Sequence, residues 1–272
     1  MDDLSRLAIH TMTTKPWPLE VAAAKYAEAG VAGVSVWKEA LEGMRPAAAA
    51  AILRGAGLSI VSLVRGGFFV APSEDERRRR VAANVDLIRA AAELGAPHIV
   101  LVCGADPRVP IAEAREQARR GIEAILPEAE RMNVGLAIEP LHPMYADSRC
   151  VVATLGQANG LCEAIAHPLL GAAVDVYHTW WDPNLEAEIA RCGAAGKLFA
   201  FHVCDWKSPT VDMLNDRGLM GEGCIDIPSI RGWVERAGFR GFVEVEIFSN
   251  RYWAMDQDVF LGEIVRAWKE KV

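Results

Sequence analysis

The chain has 272 residues, of which 51% are hydrophobic and 24% are charged. These proportions are ordinary for a soluble globular protein, and the length suits one large α/β domain or two smaller ones. The net charge of −7 argues against a nucleic-acid-binding protein, which normally presents a basic surface. No apolar run reaches the ~20 residues that a membrane span requires, so no membrane partner is expected.

The N-terminal residues and the cysteines bear on the cellular compartment. The stretch from Met1 to Ser5 is acidic and lacks the basic and then apolar segments of a signal peptide. The six cysteines include no Cys-x-x-Cys pair, which leaves zinc-finger and redox interpretations without support. We therefore predict a cytoplasmic protein whose cysteines are free thiols.

Short apolar runs bounded by glycine, proline or charge alternate with longer helical segments. Pro18 opens the first helix and Gly30 follows its end, a common asymmetry of helix termini. Ser73 with Glu76 forms a capping-box signature, and Thr154 is a further candidate N-cap. The predicted strands cover residues 6–10, 31–37, 58–64, 98–103, 134–139, 170–175, 198–202 and 241–246. The predicted helices cover residues 19–29, 45–55, 73–94, 110–132, 154–165, 183–192, 227–237 and 257–271.

The alternation of strands and helices predicts the fold class. A spacing of roughly 30 residues is that of a βα unit, and alternation of this kind predicts a parallel sheet. Eight such units in about 250 residues match a closed (β/α)8 barrel, or TIM barrel. An open doubly wound sheet is disfavoured because no Gly-x-Gly-x-x-Gly follows the first strand and the pattern has no break midway. No linker divides the chain, so we predict a single TIM-barrel domain over residues 1–272.

Four of the predicted strands end on a side chain that can bind a metal ion. They end on Glu139, Asp175, His202 and Glu246. An unpaired carboxylate is costly to remove from water, so four such endings suggest one shared cation where the strand ends converge. Three carboxylates and an imidazole suit Mn²⁺, Mg²⁺ or Co²⁺ better than a thiolate-seeking ion, although Zn²⁺ also accepts these ligands. The alternative is that these residues are exposed strand-end acids in loops.

The motifs around these strand ends resemble the sugar isomerase/epimerase family that has a xylose-isomerase-like barrel. The motifs are Ile138-Glu139-Pro140, Val174-Asp175-Val176-Tyr177-His178, His202-Val203-Cys204-Asp205, Gly221-Glu222-Gly223-Cys224-Ile225-Asp226 and Glu244-Val245-Glu246-Ile247-Phe248. The resemblance covers essentially the whole chain and is strongest from Val134 to Phe248. That family includes ketose 3-epimerases, hydroxypyruvate isomerase and inosose dehydratase. The resemblance implies one divalent metal ion, with Mn²⁺ expected, on the four strand-end side chains.

The same resemblance implies two substrate contacts. His178 would reach a substrate oxygen, and Arg217 would contact a substrate hydroxyl or carbonyl. The alternatives are a histidine hydrogen-bonded within the barrel rim and an ordinary surface ion pair of Arg217 with Asp216 or Glu222.

Two features depart from the epimerases of that family. Their loop after Ile-Glu-Pro usually contains asparagine, whereas this loop is Leu141-His142-Pro143-Met144-Tyr145, which makes His142 a further candidate for substrate contact. Tryptophans also follow the strand ends, among them Trp181 and Trp206. Their rings either cover the apolar C–H surface of a sugar or pack between the rim loops. A substrate contact would indicate a substrate larger or more apolar than a triose.

These residues predict a divalent-metal-dependent isomerase or epimerase that acts on a keto-sugar or related polyol. The metal would stabilise the charge on oxygen as the α C–H loses its proton, and Glu139 and Glu246 would take and return that proton through an enediolate. A lyase or dehydratase acting on a keto-sugar or inosose shares this first step and is the main alternative.

More remote alternatives are an apurinic endonuclease and a non-catalytic sugar-binding barrel. The expected partner is a small carbohydrate, without nucleic acid, and a homo-oligomer remains open. No glycine-rich turn with lysine marks a phosphate site, which favours an unphosphorylated substrate.

Overall fold

The computed structural model describes residues 3–272, so Met1 and Asp2 of the acidic N-terminal stretch lie outside it. Eight parallel strands close into a barrel, which confirms the predicted (β/α)8 class. The barrel strands are β1 (Leu7–His10), β2 (Gly33–Trp37), β3 (Ser59–Gly67), β4 (His98–Val102), β5 (Gly135–Ile138), β6 (Leu170–Asp175), β7 (Leu198–Val203) and β10 (Val243–Val245). Two short strands between β7 and β10, β8 (Asp205–Trp206) and β9 (Arg217–Gly218), form a separate hairpin. The order around the barrel is β1-β10-β7-β6-β5-β4-β3-β2.

Helices connect the strands. They are α1 (Leu19–Glu28), α2 (Pro46–Gly55), α3 (Glu74–Leu94), α4 (Ile111–Met132), α5 (Leu155–Ile165), α6 (Val176–Thr179), α7 (Leu185–Ala194), α8 (Ile227–Arg236), α9 (Asn250–Trp253) and α10 (Gln257–Lys271). Both predicted N-caps are confirmed, because Ser73 Oγ accepts a hydrogen bond from Glu76 N and Thr154 Oγ1 accepts one from Gln157 N, each at 3.2 Å. Among residues 3–272, no helix is long and apolar enough to cross a membrane.

The predicted end of the third strand is wrong. Sequence places Arg65 at the start of a loop, but β3 continues to Gly67 after a register shift against β4 between Val64 and Gly66. The side chain of Asn84 supports this end of the strand, since its oxygen accepts from the N–H of Gly67 at 2.6 Å and its amide donates to the C=O of Gly67 at 2.8 Å. Arg65 is therefore held on a strand end at the barrel mouth.

The helix predicted over residues 183–192 is displaced toward the C-terminus. It begins at Leu185 and ends at Ala194. The carboxylate of Asp182 accepts a hydrogen bond from Asn184 N at 2.9 Å, which holds the preceding residues in a turn.

The barrel interior is filled by small and β-branched side chains below the mouth. Val64, Val100 and Ala137 lie side by side on β3, β4 and β5, and Ala173 lies beside Ala200 on β6 and β7. With Trp37 they form an apolar cluster separate from the main core. Their small volume leaves room at the same end of the barrel for buried polar side chains.

Candidate active site

The four side chains predicted to bind a metal meet at the C-terminal ends of the barrel strands. Glu139 follows β5, Asp175 ends β6, His202 lies in β7, and Glu246 follows β10. One potential ligand atom from each lies within 4.8 Å of the others, and all four residues are buried. Ligands bound at about 2.0–2.2 Å to one ion lie up to roughly 4.4 Å apart, so small adjustments bring all four onto a shared cation. The oxygen-rich donor set fits a divalent ion.

Arg217 bridges two of these carboxylates. Its Nη1 donates to Asp175 Oδ2 at 2.9 Å and to Glu246 Oε2 at 2.8 Å, while Nη2 lies 3.0 Å from His178 Nε2. The residue is only 4% exposed, so the surface ion pair considered from sequence does not occur. Asp216, one partner considered for it, pairs with Lys207. The guanidinium is thus a buried counter-charge inside the candidate site.

The buried charges of the site shift one another's pKa values. Burial raises the pKa of Asp175 to about 7; Arg217 opposes this rise, and the negative charges of Glu139 and Glu246 add to it. Burial by itself would also raise the pKa of Glu246, but His10 and Arg217 outweigh it and hold that pKa well below its usual range. Burial, and then Arg217, lowers the pKa of His178 well below its ordinary value, so this imidazole is neutral at neutral pH.

Two residues of the site, His10 and Glu244, were missed by sequence reasoning. His10 ends β1 and places Nδ1 3.0 Å from Glu246 Oε1 and Nε2 3.3 Å from Glu244 Oε2. Glu244 stands beside His202 in the register of β10 and β7, and its Oε2 lies 3.6 Å from His202 Nε2. The signals were present, because His10 is itself a strand-end residue and Glu244 precedes Glu246 by two, which places both carboxylates on one face of the strand.

Glu244 and His202 stabilise each other's charged form. Burial disfavours the charge on both, but their attraction outweighs it. The pKa of Glu244 is lowered to about 2, with His202 and His10 responsible, and the pKa of His202 is raised to about 10, with Glu244 and Glu139 responsible. Glu244 also accepts hydrogen bonds from the hydroxyls of Ser35 and Ser62. An ionised, hydrogen-bonded layer therefore lies directly beneath the candidate ligands.

A cavity of about 110 Å³ opens above these groups. Its walls include Glu139, Glu246, His178 and Arg217, together with apolar and basic side chains. The other lining residues are Trp37, Arg65, Val102, Leu141, Tyr145, Arg149, Leu214 and Phe248. A larger groove of about 790 Å³ shares some of these residues and extends to Trp17 and Trp253.

The other three predicted substrate contacts form an aromatic cluster beside His178. The His142 ring lies 5.6 Å from that of Trp181 and 4.9 Å from that of Trp206, between centroids. Trp181 Nε1 donates to the backbone oxygen of His178 at 2.8 Å, and His142 N lies 3.3 Å from His178 Nδ1. These three are not among the residues that line the small cavity in the described part of the chain. Contact of these three residues with substrate stays a prediction, while the contacts of His142 and Trp181 with His178 are present in the structure.

Residues 23–270 match the model of the xylose isomerase-like TIM barrel family. The chain belongs to this family. Its resemblance to the sugar isomerase/epimerase barrels, inferred from the strand-end motifs, is thereby confirmed. The crystal structure of a protein from Sinorhizobium meliloti 1021 is 41% identical to this chain, with 98% of both chains aligned and a TM-score of 0.95.

More distant relatives carry functional names. The crystal structure of the IolI protein with a bound zinc atom aligns with 97% of both chains at a TM-score of 0.84, and its 18% identity shows the common fold alone. The inosose isomerase of Halalkalibacterium halodurans (strain C-125) is 23% identical over 146 residues, which are 53% of this chain and 51% of that enzyme. The chain thus spans about half the length of that curated relative.

Proposed function

We propose that this protein is a divalent-metal-dependent isomerase or epimerase that acts on a keto-sugar or related polyol. The observation that carries the proposal is the meeting of Glu139, Asp175, His202 and Glu246 within 4.8 Å at the buried mouth of the barrel. The similarity to an inosose isomerase supports a polyol-derived carbonyl substrate, and the zinc atom in the related IolI structure supports a metal-holding barrel. A cytoplasmic location and a small carbohydrate substrate, without nucleic acid or membrane, belong to the same proposal, and a homo-oligomer is compatible with it.

The four converging side chains would hold the ion. Three carboxylates favour Mn²⁺, and Mg²⁺, Co²⁺ and Zn²⁺ are compatible with the same donors. When bound there, the ion supplies Lewis acidity for the negative charge that develops on a substrate oxygen.

Glu139 and Glu246 would move the proton in this reaction. They follow β5 and β10, which are separated around the barrel by β6 and β7, so their carboxylates approach the cavity from different sides. One carboxylate takes the α-proton and the other returns a proton on the opposite face, which inverts that carbon. Return of the proton to the adjacent carbon is isomerisation instead.

Neighbouring side chains position the two glutamates and shield the site. Arg217 and His10 hold the Glu246 carboxylate from two directions, and His202 Nδ1 lies 2.9 Å from Glu139 Oε1. The neutral imidazole of His178 faces the cavity as a partner for a substrate oxygen. Trp37 and Phe248, whose ring centroids are 5.1 Å apart, form an apolar part of the cavity wall.

The test is hydrogen exchange at the α-carbon. Metal-loaded protein is incubated in D₂O with a panel of keto-sugars and inososes, and each compound is recovered free of metal before its proton NMR spectrum is recorded. We expect deuterium at the carbon next to the carbonyl, with loss of the exchange after chelation. The product distinguishes epimerisation, isomerisation and the elimination expected of a lyase or dehydratase.

The matched control for this test is a pair of glutamate variants. Glu246→Gln keeps the size of the side chain but removes the base, and general-base removal typically costs ~10²–10⁴-fold in rate. Glu270→Gln, an exposed position on α10, should leave the rate unchanged. Wild-type exchange by metal-loaded Glu246→Gln would show that the two-glutamate mechanism is wrong.

A further inference from the structure

Two arginines of the small cavity have no acidic side chain within 4.0 Å among residues 3–272. Arg65 at the end of β3 and Arg149 in the loop after β5 are both half-buried and both line the cavity with Glu139 and Glu246. Within residues 3–272, neither guanidinium forms an ion pair or a hydrogen bond with another residue. Arg217, the third arginine of this cavity, has two carboxylate partners. Arg65 and Arg149 therefore face the cavity with unused hydrogen-bond donors.

Aromatic rings hold these two guanidinium groups in place. Arg65 lies over the rings of Trp37 and Phe68, at 5.5 and 4.7 Å from their centroids, and Arg149 lies 5.8 Å from the centroid of Tyr145. Stacking of this kind uses the face of the guanidinium plane and leaves the N–H groups at its edge available. The donors are thus presented by fixed side chains rather than by flexible surface ones.

The charge of the cavity is unbalanced by these arginines. The three ligand carboxylates are balanced by Arg217 together with a divalent ion, and Glu244 is paired with His10 beneath them. Arg65 and Arg149 then add positive charge to the cavity, whose acidic lining residues within residues 3–272 are Glu139 and Glu246. Burial lowers the pKa of Arg65 and repulsion from the Arg149 charge lowers it further, while Glu39, Glu246 and Glu139 oppose the effect. A second anion supplied by the substrate would remove this imbalance.

We propose that the substrate of this site carries a carboxylate, which Arg65 and Arg149 bind. The inference rests on the proposed isomerase or epimerase function and narrows its substrate to acidic keto-sugars or keto-cyclitols. A planar guanidinium fork matches a carboxylate with two parallel hydrogen bonds. Arginine binds phosphate with the same pair of bonds, so a carboxylated and a phosphorylated probe on one carbon skeleton distinguish the two anions.

Three probes that share a carbon skeleton test the proposal. D-fructose, D-fructuronate and D-fructose 6-phosphate differ only at the sixth carbon, which is neutral, carboxylated or phosphorylated. Their equilibrium binding to metal-loaded protein is measured by calorimetry, and their α-hydrogen exchange is measured in D₂O. We expect fructuronate to bind at least ~10-fold more tightly than either of the others, because charge-assisted hydrogen bonds are the stronger class.

Arginine variants connect the preference to the two residues. Arg65→Gln and Arg149→Gln should each weaken fructuronate binding by ~10–100-fold relative to fructose binding. Arg65→Lys keeps the charge without the fork and should lose part of the preference, which also guards against misfolding of the glutamine variant. Arg79→Gln removes an exposed charge from α3 and should change nothing.

The outcomes separate this proposal from the proposed function. Suppose that fructose undergoes α-hydrogen exchange but fructuronate does not bind more tightly, or that its tighter binding survives both glutamine variants. The carboxylate assignment is then overturned, while the isomerase or epimerase function stands. Arginine-dependent binding of fructuronate without exchange on any compound of either panel supports the anion site and overturns the proposed function. Tighter binding of fructose 6-phosphate than of fructuronate overturns the carboxylate in favour of a phosphate.

Discussion

Charged side chains at the barrel mouth are arranged in two layers. The upper layer contains the four proposed metal ligands and Arg217, and the lower layer contains His10 and Glu244 with the serines that donate to Glu244. A metal-bound histidine commonly has its other ring nitrogen held by a carboxylate, which fixes the ring and raises its basicity. Glu244, 3.6 Å from His202 Nε2, is the group that can act in this way.

Glu244→Gln should therefore weaken metal binding without removing a ligand. We expect the affinity for Mn²⁺ or Zn²⁺ to fall by ~10–100-fold, as is typical when an outer carboxylate is lost. Metal titration by calorimetry measures this loss of affinity. The rate of α-hydrogen exchange on substrate, measured at saturating metal, should fall by a smaller factor than the metal affinity.

Ser35→Ala is the matched control for that variant. It removes one hydrogen bond to Glu244 but keeps the carboxylate. It should therefore lower the metal affinity by a smaller factor than Glu244→Gln does. Equal metal affinity of wild-type protein and Glu244→Gln would show that Glu244 only fills the barrel interior.

At the scale of elements, a hairpin outside the barrel supplies the buried arginine. β8 and β9 pair antiparallel after β7, and Arg217 lies on β9. The carboxylate of Asp205 accepts hydrogen bonds from Gly221 N and Ile225 N, at 2.9 and 3.0 Å, which ties the following loop to this hairpin. The motif from His202 to Asp205 thus contains one candidate metal ligand and the carboxylate that supports the hairpin carrying Arg217.

The helix caps contribute to stability separately from the site. Ser73→Ala removes the side chain that accepts from Glu76 N at the start of α3 and should lower the free energy of unfolding by ~0.5–2 kcal/mol. Urea denaturation followed by circular dichroism measures the change. Ser73→Thr keeps a capping hydroxyl and should lose much less; an equal loss in both variants would contradict the capping role.

At the scale of the whole molecule, barrel closure makes the candidate site depend on the complete fold. β1 pairs with β10, which brings His10 beside Glu244 and Glu246 from the opposite end of the chain. The single domain predicted over residues 1–272 stays a prediction. One cooperative unfolding transition that includes metal release would support it, because the candidate ligands come from four different strands.

Metal binding should stabilise the fold more at higher pH. In the metal-free protein the pKa of His202 is raised to about 10, compared with 6.5 in the unfolded chain. Its positive charge therefore stabilises the fold fully below pH 6.5, and this stabilisation is lost as the pH rises through 10. A metal-bound histidine is neutral and does not follow this titration. We expect the rise in Tm caused by Zn²⁺ to grow between pH 7 and pH 9. A pH-independent rise would contradict a protonated His202 in the metal-free protein.

Local patterns in the sequence were sufficient for the fold and for the four converging strand-end residues. A buried strand and an amphipathic helix each have a periodicity that depends on residues close in the chain, and parallel closure puts all strand ends at one mouth. The family resemblance added Arg217 and His178 as candidates, and both line the cavity.

Only the tertiary structure decided which charges meet. Strand register and the folding of loops over the mouth decide the contact of His10 with Glu244 and the sharing of Arg217 by two carboxylates. They also leave Arg65 and Arg149 without an ion pair within residues 3–272. These contacts join residues up to 234 positions apart, as His10 and Glu244 are. No short-range pattern specifies them, because they arise from closure of the barrel and from the register of β3 and β10 against their neighbours.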